Sequence, residues 1–265
     1  MIPYQMNPLG SGWPREGSYG VFLTSSGTAV SSAIVMSGAI VSGPDYAQSV
    51  YSHGTARETI VSSGGSMYVF SGGTARSATI TNAAHIYISS GGSADRCTLQ
   101  SGGVMHASSG AAANSTVINS GGRMVVVSGC SASSISAANG AIFNFAIAPD
   151  TYIQGTSDGS AFVFTSVASN FTLKGGYFIT QNGGTAHHIT VSSGGSMNVF
   201  PGGSANNITL SSGGRVSVSS GGSTDSTTVL SGGRMIVLSG GTALNVVSSA
   251  GAIVSSAAGA VITYA

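Results

Sequence analysis

Glycines and small residues recur along this chain at a fixed interval of 19 residues. A first array of units begins at Gly54, Gly73, Gly92, Ala111 and Cys130, and a second at Gly184, Gly203, Gly222 and Gly241. A period of about 20 residues with glycine at fixed points is typical of solenoids, in which each repeat forms one coil. No single coil can bury its own apolar face, so the fold must be held together by contacts between neighbouring coils.

Each unit carries apolar residues at three fixed positions. The first row contains Val61, Ile80, Leu99, Ile118, Val191, Leu210 and Val229. The second contains Met67, Ile86, Met105, Met124, Met197, Val216 and Met235, and the third, two residues further on, contains Val69, Ile88, Ala107, Val126, Val199, Val218 and Val237. A spacing of two is the strand period, with one face inward. The pattern therefore predicts an all-β protein: a single elongated β-solenoid (β-helix) of about ten to twelve rungs with two short strands per coil. A compact coil with three sides is also compatible with this pattern.

The unit boundaries divide the chain into four predicted parts. Residues 1–26 form an N-terminal cap, residues 27–148 the first solenoid array, and residues 184–265 the second array and C-terminal end. Between the arrays, residues 149–183 are rich in aromatic side chains and alternate as strands do. We predict that this segment forms irregular rungs of the same rod.

Composition narrows the function classes. Charged residues make up only 6% of the chain and the formal net charge is +1, so the basic surface that nucleic acids require is missing. No apolar run is long enough to predict a membrane span. The first residues lack the charged and apolar regions of a signal peptide, which leaves the export route open.

The units have the form Gly-Gly-Thr-Ala…Val-Ser-Ser-Gly-Gly…Val-x-Ser-Gly-Gly. This form resembles the passenger repeats of the AIDA-type self-associating autotransporter adhesins, over residues 27–129 and 184–258. The resemblance implies a bacterial cell-surface or secreted adhesin, active in cell adhesion, self-association or biofilm formation. It also implies O-linked glycans, added to repeat serines by a dedicated glycosyltransferase. The candidate acceptors are Ser71, Ser90, Ser109, Ser128, Ser220 and Ser239.

Two sets of outward-facing residues are candidate contacts with a partner. Tyr68, Tyr87 and His106 occupy equivalent positions on consecutive rungs, where their rings would stack. Arg215 and Arg234 likewise lie one rung apart. Stacked like charges repel, so the two side chains either spread apart into solvent or bind an anion, a glycan or a partner. The partners expected are a second copy of this chain or surface glycans.

The sequence predicts no catalytic residues, no cofactor and no metal ligands. Asp95 and Asp225 share a unit position, but many rungs separate them, which disfavours a catalytic pair. His85 and His106 lie on neighbouring rungs and leave open a weak surface metal site. The leading prediction is thus a non-enzymatic adhesin-like module. The alternative is an ice- or surface-binding solenoid, although the threonines of this chain are irregularly spaced for that function. A polysaccharide-acting enzyme is the third possibility.

Overall fold

The computed structural model describes residues 35–37, 40–42, 47–181, 183–192 and 194–265. The predicted N-terminal cap, residues 1–26, lies outside this part of the chain. Every regular element among the described residues is a β-strand. Accordingly, these residues include no apolar helix that could cross a membrane.

The strands of the first array are short and recur three to a coil. They are β1 (Val35–Ser37), β2 (Ile40–Ser42), β3 (Ala47–Val50), β4 (Thr55–Arg57), β5 (Ile60–Ser62), β6 (Ser66–Val69), β7 (Thr74–Arg76), β8 (Thr79–Ile80), β9 (His85–Ile88), β10 (Ser93–Asp95), β11 (Thr98–Leu99), β12 (Val104–Ala107), β13 (Ala112–Asn114), β14 (Val117–Ile118) and β15 (Arg123–Val126). The strands that lead into and through the aromatic segment are β16 (Ser131–Ala137), β17 (Ile142–Ile147), β18 (Tyr152–Ser157), β19 (Ser160–Phe164), β20 (Val167–Lys174) and β21 (Gly176–Thr180).

The second array has two strands to a coil. They are β22 (Thr185–Ser192), β23 (Ser196–Val199), β24 (Ser204–Leu210), β25 (Arg215–Val218), β26 (Ser223–Val229), β27 (Arg234–Val237), β28 (Thr242–Ser248), β29 (Ile253–Ser256) and β30 (Val261–Tyr264).

Parallel pairing between successive coils stacks these strands into three sheets. The first sheet has 13 strands and contains the paired halves β4/β5, β7/β8, β10/β11 and β13/β14. The second sheet has 11 strands, from β3 to β29, and runs through both arrays. The third has six strands, from β20 to β30, and takes the place of the first sheet in the second array. The predicted all-β solenoid is confirmed.

A left-handed backbone residue bends the first or third sheet once in nearly every coil. It stands at the fifth position of the unit, as at Ser77 (φ 56°), Asn207 (φ 54°) and Asn245 (φ 51°). Asparagine is among the non-glycine residues that adopt this conformation most readily. The bend breaks the strand alternation, so the side chain that follows also points inward. The buried residues at that sixth position include Thr59, Ala78, Cys97, Thr116, Ile135, Ile189, Ile208, Thr227 and Val246.

The core is a single column of small and branched side chains along the rod. All three predicted apolar rows are buried in it, including Val61, Met67, Met105, Met124 and Val126. The methionines therefore fill the core, as predicted. Cys97 and Cys130 are free and buried, and burial raises the pKa of each thiol to about 12. Neither thiol is suited to redox or nucleophilic chemistry, because the reactive form is the thiolate.

The turn after the second sheet depends on a glycine in each coil. Gly91 and Gly110 have φ of 73° and 74°, which favours glycine. A β-carbon on Gly110 would also lie 2.5 Å from Ser90 Oγ of the previous coil. Backbone bonds run between these glycines from coil to coil, as from Gly91 N to Gly110 O at 2.9 Å. The glycine row thus allows the turns to stack directly on one another.

Strands β18, β19 and β20 form the transition between the first and third sheets. Strand β18 pairs with β16 and then turns back antiparallel as β19, while β20 begins the third sheet. Six phenylalanines pack together in the core here, among them Phe145 and Phe178, whose ring centroids lie 6.0 Å apart. The others are Phe143, Phe162, Phe164 and Phe171. The large rings fill a section of the core that lacks the regular 19-residue coil.

Candidate functional site

The outer face of the second sheet carries an aromatic ladder. It consists of Tyr68 on β6, Tyr87 on β9 and His106 on β12, which are direct cross-strand partners. The rings of Tyr68 and Tyr87 are stacked with centroids 5.1 Å apart, and those of Tyr87 and His106 with centroids 4.7 Å apart. Strand pairing fixes this spacing, because adjacent strands lie about 4.8 Å apart. The side chain of Tyr68 is exposed and the other two are half-buried.

Further aromatic residues widen the ladder on either side. Phe70 lies beside Tyr68 and stacks on Tyr51 of the previous coil, with ring centroids 4.8 Å apart. On the other side, His85 stacks against both Tyr87 and His106. We call these six residues the aromatic face. Stacked rings support one another. Because Tyr68 and His106 cover the two faces of Tyr87, the ladder offers ring edges and tyrosine hydroxyls, rather than ring faces, to a partner.

His85 and His106 are in direct contact. His85 Nδ1 and His106 Nε2 lie 3.3 Å apart, so one ring donates an N–H to the other when at least one is neutral. The pKa of His106 is below its ordinary value of 6.5, first because of partial burial and then because of the nearby His85 and Arg123. His106 is therefore mainly neutral at neutral pH.

The predicted arginine contacts lie on the same outer face of the second sheet. Arg215 on β25 and Arg234 on β27 are direct cross-strand partners, and both are exposed. Tracing partners along the sheet links them to the aromatic ladder in one unbroken file, which we call the outer row. In order, it contains Tyr68, Tyr87, His106, Val125, Asn144, Tyr177, Ser196, Arg215 and Arg234.

This alignment was not foreseen from the sequence, because the two sets occupy different unit positions. Tyr68 is the fifteenth residue of its unit, whereas Arg215 is the thirteenth residue of its own. The aromatic segment shifts the register of the second sheet by two residues, since Phe178 pairs with Phe145 on one side and with Met197 on the other. The irregular coil therefore brings all five predicted contact residues onto one file.

The predicted glycan acceptors lie in the turns that follow the C-terminal ends of the strands of the second sheet. Ser71, Ser90, Ser109, Ser220 and Ser239 are exposed, and Ser128 is half-buried. The hydroxyls of all these serines except Ser128 stand beside a glycine of the next coil, so that a β-carbon on Gly91 would lie 2.6 Å from Ser71 Oγ. The serines thus form two stacked rows along the rod, one in each array.

The two aspartates considered for catalysis lie in different sheets. Asp95 is on β10 of the first sheet and forms ion pairs with Arg76 and Arg96, at 3.2 Å and 3.1 Å. Asp225 is on β26 of the third sheet and accepts a hydrogen bond of 2.8 Å from Asn245. Both aspartates stand on strands, and they are not partners in one site.

The threonines are more regular than the sequence suggested. Thr172, Thr190, Thr209 and Thr228 are consecutive partners on the third sheet and form one file. The residues two positions before them on the chain are Asn170, His188, Asn207 and Ser226. The file is therefore one threonine wide and does not form the Thr-x-Thr array that the ice-binding alternative needs.

Comparison with known proteins supports the resemblance found in the repeats. Residues 200–252 match a family model described as AIDA, the adhesin of the bacterial autotransporter system and probable stalk. The resemblance to AIDA-type passenger repeats is thereby confirmed for residues 200–252 of the second array.

One solved structure similar to this chain is a TibC-catalysed hyper-glycosylated fragment of TibA. It is 29% identical, the match covers 88% of this chain and 100% of that chain, and the TM-score is 0.42. No curated protein gives a significant match.

Proposed function

We propose that this chain, whose residues 200–252 match the AIDA stalk model, is an adhesin module that acts at the bacterial surface by binding a second copy of itself. The main support for this proposal is the outer row, which has aromatic rings at one end and arginines at the other. Its contacts are weak individually and gain strength when many copies are displayed together.

The order of residues in the outer row makes it complementary to an antiparallel copy of itself. Asn144 stands at its centre, with four residues on either side. The Asn144 side chain is itself buried and accepts a hydrogen bond of 3.2 Å from Tyr177 N, so the contacts between copies lie toward the two ends of the row. A two-fold axis through Asn144 would place Arg234 of one copy against Tyr68 of the other, and Arg215 against Tyr87. The same rung spacing separates both the rings and the arginines, so the two contacts fall in register together. Such an interface is isologous and closes as a dimer.

The physics of the two ends favours this pairing. Two stacked guanidinium groups repel each other in the isolated chain, and each gains by donating a hydrogen bond to a tyrosine hydroxyl of the other copy. Such a hydrogen bond contributes about 0.5–1.5 kcal/mol. The interface would contain four arginine–tyrosine pairs. The low net charge of +1 leaves little long-range repulsion between copies.

Sedimentation velocity tests the proposed association with the purified full chain. We expect a reversible increase in sedimentation coefficient as protein concentration rises, because identical surfaces associate by mass action. Beads coated with the protein should aggregate as well, since display multiplies weak contacts. A single monomeric species at all concentrations, with no bead aggregation, would contradict the proposal.

We also propose that Ser71, Ser90, Ser109, Ser128, Ser220 and Ser239 accept O-linked glycans. Support comes from their position at a turn beside the outer face, where five of the six are exposed. Co-expression with an adhesin-modifying glycosyltransferase followed by peptide mapping should locate sugars on this row. Sugars found only on serines outside the row would contradict this assignment.

A further inference from the structure

We propose that His85 and His106 form a two-ligand binding site for a divalent transition metal of the zinc class on the outer face of the second sheet. The two rings come from adjacent strands, β9 and β12, and are diagonal neighbours because Tyr87 is the direct partner of His106. The strands are paired on both sides, so the two ligands are held by rigid backbone. Imidazole nitrogen is a preferred ligand of zinc.

The distance between the two nitrogens fits this role. His85 Nδ1 and His106 Nε2 lie 3.3 Å apart. Two nitrogens that bind one tetrahedral zinc at 2.0–2.1 Å lie about 3.3–3.4 Å from each other, so the observed separation already suits chelation. Small rotations of the two rings would turn both lone pairs toward a shared ion, which replaces the N–H···N contact. Zinc would gain its remaining ligands from water, because both side chains are only half-buried.

The surroundings shape the expected affinity. Among the described residues, no three histidine, cysteine, aspartate or glutamate side chains are grouped so that they could hold one metal ion, so the proposed site has two protein ligands. Arg123 is the strand partner of Val104, two residues before His106, and its charge opposes the binding of a cation. The ring of Tyr87 stacks against both imidazoles and leaves their nitrogens at its edge.

Isothermal titration of the full chain with zinc sulfate tests the site. We expect saturation at about one zinc ion per chain, as two ligands converge on one ion. His85→Gln and His106→Gln should each weaken binding at least about tenfold, because a chelating pair becomes a single ligand. Far-UV circular dichroism confirms that each variant folds.

His187 and His188 supply the matched control. They are adjacent on β22 and their ring centroids lie 6.5 Å apart, so they share residue type but not the close approach. The His187→Gln/His188→Gln double variant should bind zinc as the unaltered chain does. The proposal is overturned if His85→Gln and His106→Gln bind zinc normally, or if the control variant loses as much affinity as they do.

Discussion

Replacing Val126 by aspartate is expected to prevent stable folding of the first array. Val126 is only 1% exposed and lies on β15, between its strand partners Ala107 and Phe145. The substitution removes a buried apolar side chain, which costs about 1.5–3 kcal/mol. It also places a carboxyl group in a core with no cation to pair with it. We therefore expect the free energy of unfolding to fall by more than about 4 kcal/mol, which is a large part of the stability of a typical domain.

Val125→Asp is the matched control for this substitution. Val125 is the adjacent residue on the same strand, but it faces outward between His106 and Asn144 and is half-buried. Its side chain can keep a carboxylate in contact with water, so the free energy of unfolding should change by about 1 kcal/mol or less. Thermal melts of both variants followed by circular dichroism at β-sheet wavelengths compare them directly. Equal melting temperatures for the two variants would contradict the assigned faces.

The inward rows could be predicted because their unit positions recur every 19 residues and two of the rows are spaced by the strand period of two. The residues at the unit positions of Val61, Met67 and Val69 are buried in every regular coil that the structure describes before the last two rungs. The buried row at the sixth position was not predicted as a row. It depends on the left-handed residue just before it, and that position holds Ser, Asn, His, Arg or Glu in different coils. The frequent serine and asparagine there are the signal that could have indicated the bend.

The candidate contact residues were identified individually, but their alignment could not be derived from the repeat. A regular period places residues in one file only when they share a unit position. Here the coil between Phe145 and Phe178 is longer than 19 residues and shifts the second sheet by two. That shift depends on how the hairpin of β18 and β19 and the phenylalanine cluster pack. Both are tertiary features with no counterpart elsewhere in the part of the chain that the structure describes.

The second prediction with a large effect concerns the two ends of the outer row. Tyr68→Ser/Tyr87→Ser should abolish the concentration-dependent association of the chain, because both aromatic contacts of the dimer disappear together. Arg215→Ser/Arg234→Ser should have the same effect, since the same contacts lose their guanidinium donors. Each change lies on the outer face, so both variants should fold normally. Val117→Ser, on the exposed face of the first sheet, is the control and should associate as the unaltered chain does.

Mixing the two defective variants distinguishes the antiparallel dimer from other modes of association. In a mixed antiparallel pair, the tyrosine-deficient copy still presents Arg215 and Arg234 to the intact tyrosines of its arginine-deficient partner. One of the two ends is then restored, so an equimolar mixture should associate measurably although neither variant does so alone. A parallel dimer sets like residues side by side and gains nothing from mixing. Sedimentation velocity with one variant fluorescently labelled detects the mixed dimer. Absence of the mixed dimer would contradict the antiparallel arrangement. Self-association itself is tested separately, on the unaltered chain.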